Sequence, residues 1–432
     1  MNRTSYQFQP KDIVKFKTQL LFWAQQYNTA IWLDSNNYQQ KYSNFDSVLA
    51  VDAYTKIETS YNNAFTKLKE FQTNTNDYIF GYLSYDLKND VENLTSNNFD
   101  NLHFPDLYFF QPKKLFFIKG NTVEIKYLNP FSSEIELDLA NIKIAKYKNT
   151  EKKNPLKIKL RIHKDEYFQK IKSVLKHIQR GAIYETNFCQ EFYCENATIN
   201  PVKVYQHLNS ISKAPFATFL KLNDKFLLSA SPERYLKKNG NKVLSQPIKG
   251  TAKRAITKSE DLKLITALEN NQKERAENIM IVDLVRNDLS HSAIKGSVKV
   301  DELCKVYTFE QVHQLISTIS CKVAKNVHPV DIIKHTFPMG SMTGTPKISA
   351  LKIIENLEVT KRGLYSGTVG YICPNGDFDF NVIIRSILYN KSNKYVSYSV
   401  GGAITAQSIP EKEYEECLLK AKAMKQVLLN TD

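Results

Sequence analysis

The sequence predicts an α+β fold. Runs of β-branched and aromatic residues, separated by Asn, Asp and Gly, are mixed with long segments of helical periodicity. The two kinds of segment do not follow the regular strand–helix–strand order that builds a parallel sheet. Hydrophobic residues make up 42% of the 432 residues, which is enough for a large buried core.

The first strands are expected upstream of residue 143, in the runs TAIWLD, YIFGYLSYDL, LYFFQPKKLFFIKG and VEIKYL. Residues 143–161, KIAKYKNTEKKNPLKIKLR, are dense in charge and interrupted by proline, which is typical of a connection. We therefore expect a β-rich N-terminal segment over 1–150 that packs on a core domain over 151–432.

Helices and strands alternate irregularly in the second part. A helix is predicted to open near Lys164 and to close at Gly181, a second helical pattern covers roughly 259–285, and a last helix begins after Pro410. Further strands are predicted at FATFLKL, FLLSA, FNVIIRSILY and YVSYSVGGAI.

Composition excludes several classes of protein. The formal charge is +15, from 59 Lys+Arg against 44 Asp+Glu, but the lysines are spread along the chain without an aromatic-rich basic cluster, so a nucleic-acid-binding protein is disfavoured. The six cysteines form no C-x-x-C pair, which argues against a zinc or redox site. No apolar run is long enough to cross a bilayer, and the first residues lack the apolar region of a signal peptide. We expect a cytoplasmic protein that binds no membrane.

Two helical segments carry the same pair of glutamates. Glu274 and Glu277 in KERAEN are three residues apart, as are Glu413 and Glu416 in EKEYEEC, and this spacing places each pair on one helix face. Four carboxylates on two facing helices could hold a hard divalent cation such as Mg²⁺. Each pair taken singly also fits a solvated acidic face.

Other residues fit the binding of an anion. Arg385 lies in the apolar run FNVIIRSILY, where a guanidinium needs an acidic partner, either a ligand carboxylate or a buried structural ion pair. Tyr365 in RGLYSGTVGY could donate its hydroxyl to the same anion or belong to the core. Glu233 in SPER follows a predicted strand; if buried, it would have a raised pKa and could act as a general acid, although a glutamate at such a place is more often an ordinary turn carboxylate.

The stretch PIKGTAKR at 247–254 places a lysine before a Gly-Thr pair. Glycine lets backbone approach a ligand closely, so Gly250 and Thr251 could meet an anion through backbone N–H groups. Lys249, if partly stripped of water, could lose its proton and act as a nucleophile, although a solvated surface lysine fits the stretch equally well.

Taken in order, SPER, PIKGT, RAENIMIVDLVRNDL, GSMTGTPK, GLYSGTVGYI, GDFDFNVIIR, GGAI and EKEYEE resemble the chorismate-utilising enzyme family. That family includes the large subunits of anthranilate synthase and aminodeoxychorismate synthase, and the isochorismate and salicylate synthases. The resemblance is strong from about Lys164 onward and weaker at IWLDSNNY and GYLSYDL. It implies a large intertwined two-sheet β-sandwich core flanked by helices, as in anthranilate synthase component I, with the chorismate-binding catalytic domain over 151–432.

Within that family, PIKGT is similar to the aminodeoxychorismate synthases, whereas anthranilate synthases resemble PIAGT. The resemblance implies that Lys249 attacks C2 of chorismate, that ammonia then displaces it by attack at C4, and that 4-amino-4-deoxychorismate forms for folate precursor synthesis. A drier cavity and nearby Mg²⁺ are expected to depress the pKa of Lys249. Ammonia is expected from a separate glutamine amidotransferase subunit. Anthranilate synthase component I is the alternative, and the feature against it is Lys249.

The resemblance assigns the remaining roles position by position: Glu277 and Glu416 as Mg²⁺ ligands, Glu274 and Glu413 as holders of metal-bound water, Gly250, Thr251 and Gly401 as backbone contacts to the ring carboxylate, Tyr365, Arg385 and the Ala403 amide as contacts to the enolpyruvyl carboxylate, and Glu233 as the acid that protonates the departing C4 hydroxyl.

Three positions depart from patterns within the family. Gln314 in VHQLIS stands where many members carry histidine, and Ala403 replaces the last residue of a triple glycine; alanine should serve there if its φ is negative. Glu185 in YETNFCQ stands where isochorismate-type enzymes carry a lysine base, which argues against that activity.

Overall fold

The computed structural model describes residues 2–38, 41–92, 94–146 and 156–429. The predicted boundary at 150/151 lies outside these residues, so the division of the chain stays a prediction. No helix in these ranges combines the length and the apolar character that a membrane span requires.

Within the described residues the strands are β1 (Arg3–Phe8), β2 (Thr29–Asp34), β3 (Ser47–Thr59), β4 (Ile79–Leu83), β5 (Leu107–Lys119), β6 (Thr122–Leu128), β7 (Lys159–Leu160), β8 (Glu185–Cys194), β9 (Phe216–Leu222), β10 (Lys225–Ser231), β11 (Arg234–Asn239), β12 (Lys242–Gln246), β13 (Ile248–Lys253), β14 (Lys299–Thr308), β15 (Val312–Lys322), β16 (Gly344–Thr345), β17 (Thr368–Ile372), β18 (Phe378–Asn381), β19 (Ser386–Asn390) and β20 (Tyr395–Thr405).

The α-helices in the same ranges are α1 (Ile13–Trp23), α2 (Ala64–Thr75), α3 (Lys88–Val91), α4 (Ile135–Ile144), α5 (Lys164–Gln179), α6 (Pro201–Ser212), α7 (Lys258–Glu269), α8 (Gln272–Ser290), α9 (Pro329–Thr336), α10 (Lys347–Leu357) and α11 (Pro410–Leu429). The mixture confirms the α+β prediction.

The strands form one continuous antiparallel sheet with two halves. One half runs β8–β20–β19–β10–β9–β2–β3 and the other runs β4–β17–β18–β11–β12–β15–β14. Strand β5 joins them, because it pairs with β3 along one edge and with β4 along the other. Strands from before and after the predicted boundary are therefore neighbours in one sheet, as in the β2–β9 and β4–β17 pairs.

The two halves share a core. Ile31 and Leu227 from the first half belong to the same buried cluster as Val243, Ile319 and Phe380 from the second. Fully burying an aliphatic or aromatic side chain of this kind stabilises the fold by about 1.5–3 kcal/mol relative to leaving it exposed. This arrangement confirms the expected sandwich, with the two layers continuous through β5.

Helices cover the outer surfaces, and two of them carry the glutamate pairs. Helix α8 packs against β13 and β15, and α11 packs against β20. The buried face of α11 includes Cys417, Met424 and Leu428, which join a second apolar cluster with residues of β9 and β20. Because that face is anchored, the first turns of α11 are held at the end of the sheet where β13 and β20 also lie.

Two predicted elements are divided in the structure. The single helix predicted over 259–285 is two helices, because the Asn271 side chain accepts the backbone N–H of Glu274 and begins α8 as a new N-cap. The run FNVIIRSILY is also divided, into β18 and β19, with residues 382–385 between them. The helix predicted from Lys164 is confirmed as α5, and Gly181, at φ +73°, follows it.

Candidate active site

One cavity of about 540 Å³ is lined by all of the site residues that the sequence predicts. They come from distant parts of the chain: Glu233, Lys249, Gly250, Thr251, Glu274, Glu277, Tyr365, Arg385, Gly401, Ala403, Glu413 and Glu416. The sheet and the two acidic helices therefore bring the predicted constellation together.

Lys249 lies on β13 and points away from bulk solvent, with 11% of its side chain exposed. Its Nζ donates to Oε1 of Glu185 at 2.8 Å. Burial by itself lowers the pKa of Lys249, but the nearby carboxylates of Glu185, Glu277 and Glu233 outweigh it, so the pKa is raised. The expected depression of the pKa was wrong for this arrangement, because the lysine is buried together with an acidic partner.

The backbone conformation at position 250 explains why a glycine follows Lys249. Its φ is +90°, a conformation that other residues rarely adopt. A Cβ there would lie 3.1 Å from Oε2 of Glu274 and 3.0 Å from the Leu315 side chain. The absence of a side chain thus lets β13 approach α8 closely and places Lys249 beside the glutamates of that helix.

Burial destabilises the anionic form of the two α8 glutamates, Glu274 and Glu277. Burial raises the pKa of Glu277 to about 7, although Lys249 partly opposes the shift, and burial followed by the charge of Glu416 raises that of Glu274. Each is therefore poorly stabilised as an anion, which is typical of a site that receives a cation.

Lysines lie among the four carboxylates. Lys273 Nζ is 3.8 Å from Oε1 of Glu277 and 3.8 Å from Oε1 of Glu413. Lys420 Nζ is 2.6 Å from Oε1 of Glu416; burial raises the pKa of Glu416, but Lys420 outweighs it and the pKa is lowered. The carboxylates of α8 and α11 thus face a shared space in which positive charge is already present.

The four glutamates have the chemical groups that a hard cation prefers, but in this structure they are not spaced closely enough to bind one. Carboxylate oxygens on two helices are the ligands that Mg²⁺ prefers. Among the residues that the structure describes, however, no three His, Cys, Asp or Glu side chains converge closely enough to hold a metal ion. The raised pKa of Glu277 and the ammonium of Lys273 between two glutamates show where an added cation would be favourable.

Arg385 lies outside the strands, contrary to the sequence prediction. It occupies the connection between β18 and β19 with a φ of +52°, which turns the guanidinium into the cavity. Its Nη1 donates to the backbone carbonyl of Lys420 at 3.3 Å, and within the described chain it has no carboxylate at ion-pair distance. Burial lowers its pKa. A cation placed in a cavity without an acidic partner is suited to an anionic ligand.

Tyr365 lies beside Arg385 in the cavity wall. It is 3% exposed, its Oη is 3.7 Å from Sγ of Cys189, and burial raises its pKa well above the ordinary range. The hydroxyl is therefore neutral and able to donate a hydrogen bond.

The glycines of β20 face different surroundings. A Cβ on Gly401 would overlap Sγ of Cys189 and the side chain of Asn187 on the paired strand β8, whereas one on Gly402 would meet nothing nearer than Oε2 of Glu413 at 3.5 Å. Ala403 is not among the residues with positive φ. Alanine can therefore replace the last glycine of the family's triple glycine without backbone strain.

Glu233 is buried next to the nucleophile candidate. It is 4% exposed, and burial raises its pKa to about 7 although a hydrogen bond with Ser341 and the charge of Lys249 oppose the shift. A carboxyl group with such a pKa holds a proton in a large fraction of molecules at neutral pH and can donate it.

Neighbouring residues on β15 point to opposite sides. Gln314 lines the cavity, and its Oε1 is buried without a hydrogen-bond partner in the described part of the chain. His313 points the other way, where its Nε2 lies 2.9 Å from Oδ1 of Asp261. Because side chains alternate along a strand, His313 cannot replace a histidine at position 314.

Sequence reasoning missed Glu185 as the partner of Lys249, and it missed both lysines near the glutamates. Lys273 precedes Glu277 by four residues, and Lys420 follows Glu416 by four. That spacing on a helix is a recognised signal for ion pairs and could have identified them. Glu185 is 64 residues from Lys249 and carries no comparable signal.

Comparison with known proteins is consistent with this site. The family described as chorismate binding enzyme matches residues 28–426. The probable chloroplastic aminodeoxychorismate synthase of Oryza sativa subsp. japonica is 41% identical over 268 residues, which are 61% of this chain and 30% of that protein, so the match spans about a third of the relative's length. Aminodeoxychorismate synthase component 1 of Bacillus subtilis (strain 168) is 30% identical over 392 residues, 87% of this chain and 80% of that protein.

A solved structure shows the same fold. Anthranilate synthase component I from Streptococcus pneumoniae TIGR4 matches with a TM-score of 0.78 and 24% identity, covering 89% of this chain and 93% of that one.

Proposed function

This chain belongs to the family of chorismate binding enzymes, and on that premise we propose that it is an aminodeoxychorismate synthase of the component I type. It would convert chorismate and ammonia to 4-amino-4-deoxychorismate, a transferase reaction that supplies the precursor of 4-aminobenzoate and folate. The relatives named aminodeoxychorismate synthase support this assignment.

The observation that carries the proposal is the position of Lys249. Its amine lines the cavity, and the carboxyl groups of Glu233, Glu185 and Glu277 all act on its charge. An amine enclosed in this way can form a covalent bond with a bound substrate, which an alanine at the same position could not do. We propose that Nζ bonds to C2 of the ring and that ammonia then attacks C4.

Chorismate is a dianion, and the cavity offers separate groups for its two carboxylates. Arg385, Tyr365 and the amide of Ala403 would hold the enolpyruvyl carboxylate, because Arg385 has no acidic partner of its own among the described residues. Gly250, Thr251 and Gly401 would approach the ring carboxylate with their backbone. Two fixed anchor points would leave the ring between Lys249 and Glu233.

Glu233 would protonate the C4 hydroxyl as it departs. Its pKa of about 7 allows the carboxyl group to hold the proton before reaction and to release it during reaction. A positioned general acid of this kind contributes about 10²–10⁴-fold to a rate.

Mg²⁺ is proposed as the cofactor on the chemistry of the glutamates. Glu277 and Glu416 would be its ligands, and Glu274 and Glu413 would hold its water molecules. When bound, Mg²⁺ would supply positive charge that offsets the negative charge of the ring carboxylate. Lys273 of α8 and Lys420 of α11 would exchange their present contacts with the glutamates for solvent or substrate.

We further propose that ammonia comes from a separate glutamine amidotransferase subunit, in keeping with the component 1 naming of the Bacillus subtilis relative. Ammonium salts should then replace glutamine and the partner subunit.

Anthranilate synthase component I is the second candidate, because a solved structure of that name shares the fold. It would aminate C2 directly and release pyruvate. Lys249 is the feature against it, since an amine in the cavity can itself bond to C2.

A single incubation separates the two candidates. The purified protein is mixed with chorismate, Mg²⁺ and an ammonium salt, and the products are separated by chromatography while pyruvate is assayed. We expect the para-amino product without pyruvate. Anthranilate accompanied by pyruvate would refute the proposed function.

A further inference from the structure

The carboxylate of Glu185 lies directly behind Lys249. Nζ and Oε1 are 2.8 Å apart, and the Glu185 side chain is 1% exposed. We propose that Glu185 is a catalytic base that removes a proton from the Lys249 ammonium before the covalent step and returns it afterwards. This inference rests on the proposed function, because it needs Lys249 to be the nucleophile.

The need for a base follows from the state of Lys249. The charges around Nζ favour the ammonium form, which has no lone pair and cannot attack carbon. Some group must therefore take a proton when the substrate is in place. Water is a poor acceptor here, because the lysine side chain is only 11% exposed.

Glu185 is better placed for this step than the other acids that face Lys249. Glu233 must hold a proton in order to give it to the leaving hydroxyl, and so it cannot also accept one. Glu277 lies near the ammonium of Lys273 and is proposed as a metal ligand. Among the described residues, Glu185 is the carboxyl group that has a hydrogen bond with Nζ of Lys249, whereas Glu233, Glu277, Glu274 and Glu416 act on it only through their charges.

The second oxygen of Glu185 supports the role. Oε2 is buried and has no hydrogen-bond partner in the described residues. It can carry the transferred proton without displacing an existing hydrogen bond. An ion pair that served only to stabilise the fold would be expected to satisfy both oxygens, because leaving a buried acceptor without a hydrogen bond destabilises the protein.

The backbone holds this carboxylate in place. Glu185 begins β8, where it pairs with Thr345 of β16 and with Thr405 of β20. A Cβ on Gly344 would overlap the carbonyl oxygen of Glu185, so the two segments are in close contact. The base would therefore keep its position relative to Nζ during the reaction.

Protons balance over the cycle. One N–H bond of the Lys249 ammonium breaks, and its proton moves to the Glu185 carboxylate. The freed electron pair forms the N–C2 bond while the C4–O bond breaks, and the proton of Glu233 leaves with the hydroxyl as water. Ammonia then bonds to C4 and the N–C2 bond breaks, which leaves a neutral lysine amine. The new C4 ammonium gives one proton to the Glu233 carboxylate, which restores the acid form of Glu233 and leaves a neutral amine on C4. Glu185 returns its proton to that amine and restores the ion pair.

The test measures the covalent step alone. Wild type, Glu185→Gln and Glu185→Asp are mixed with chorismate and Mg²⁺ without ammonia, and intact-protein mass spectrometry follows the adduct of chorismate less one water. Chorismate affinity is measured in parallel by calorimetry. Glu191→Gln is the matched control, because Glu191 is a buried acid on the same strand that pairs with Arg161.

We expect Glu185→Gln to slow adduct formation by about 10²–10⁴-fold at neutral pH, with chorismate affinity little changed. Below about pH 7 the residual rate should rise about tenfold per pH unit as solvent removes the proton instead. Above that pH the rise should level off, because Glu233, with a pKa of about 7, loses the proton that it must donate. Glu277, Glu274 and Glu416 are the other titratable groups facing this space. Glu185→Asp should retain part of the rate, and Glu191→Gln should match wild type.

An adduct that forms in Glu185→Gln as fast as in wild type, or faster, would overturn the role of Glu185 and leave the function standing. Should that variant fail to fold, Glu185→Asp decides the question: a wild-type rate and pH profile would overturn the proposal, and a slowed rate would support it. No adduct in wild type under these conditions would instead refute the covalent route of the proposed function.

Discussion

Gly401 of β20 and Cys189 of β8 face each other so closely that a Cβ on Gly401 would overlap Sγ of Cys189. Gly402, the next residue, has open space toward the cavity, where a Cβ would lie 3.5 Å from Oε2 of Glu413. Two adjacent glycines thus have different reasons to lack a side chain: the first is required by packing and the second borders the site.

We therefore expect Gly401→Ala to lower the free energy of unfolding by about 1–3 kcal/mol, because an inserted methyl group overpacks a filled region. Gly402→Ala should change it by less than about 1 kcal/mol, since its methyl group meets only ordinary contacts. Urea denaturation of both variants measures the difference. Equal midpoints for the two would contradict the packing assigned to Gly401.

Lys249→Ala should abolish para-amination, because no amine remains to bond to C2. The loss should be several orders of magnitude, as for other removed nucleophiles, while chorismate affinity stays close to that of wild type. Product chromatography and calorimetry provide the two measurements. Lys242→Ala, at a surface ion pair with Asp301, is the control and should behave as wild type. Full synthesis of the para product by Lys249→Ala would disprove the covalent role.

Glu277→Ala and Glu416→Ala should each raise the Mg²⁺ concentration for half-maximal activity by at least about 10-fold, since even indirect partners of a metal are worth about 10–100-fold in affinity. The measurement is a titration of activity with Mg²⁺. Glu415→Ala is the matched control, because Glu415 lies on the same helix but, unlike Glu416, is not one of the residues that line the cavity in the described structure. An unchanged metal requirement in both variants would show that these carboxylates are not ligands.

Glu233→Gln should change how stability depends on pH. The pKa of Glu233 is raised from 4.5 to about 7 in the folded state, so the folded state binds more protons than the unfolded state between these values. This favourable contribution is fully present below about pH 4.5 and is lost as pH rises through about 7. Relative to the variant, wild type should lose ~3 kcal/mol of stability over that range. Calorimetric unfolding at about pH 5 and about pH 8 measures the loss. A difference between the two proteins that does not vary with pH would contradict the raised pKa.

Arg385→Ala should weaken chorismate binding about 10–100-fold, since a hydrogen bond to a charged group contributes about 1.5–3 kcal/mol. Removing the guanidinium should cost the fold little, because it has no acidic partner at ion-pair distance in the described residues. Calorimetric titration with chorismate is the measurement. Arg286→Ala, at an exposed pair with Asp283, is the control. Unaltered affinity in Arg385→Ala would place the carboxylate elsewhere.

Local sequence patterns predicted most elements but not the points where they break. The helical pattern over 259–285 was correct in period, yet Asn271 begins a new helix by accepting the N–H of Glu274. FNVIIRSILY has the composition of one strand, but β18 ends at Asn381, and Arg385 takes a left-handed φ directly before β19 begins. Hydrophobic periodicity does not register a helix cap or a left-handed backbone conformation.

The sequence motifs identified the residues of the site, but they did not predict the direction of the pKa shift of Lys249. Lys249 and the four glutamates lie in recognisable short segments, and the structure places them in one cavity. The pKa of Lys249 was predicted with the wrong sign, because Glu185 reaches it from a strand 64 residues away. Motifs describe what a segment contains, while a charge depends on every group that the fold brings near it.

The pairing of β8 with β20, and the docking of α11 on β20, have a consequence for synthesis of the polypeptide. On the ribosome, Glu274 and Glu277 are translated with α8, but Glu413 and Glu416 emerge only with α11, after the partner strand of β8 has been translated. A polypeptide released from the ribosome before Pro410 would therefore lack both α11 glutamates, and we expect it to be inactive.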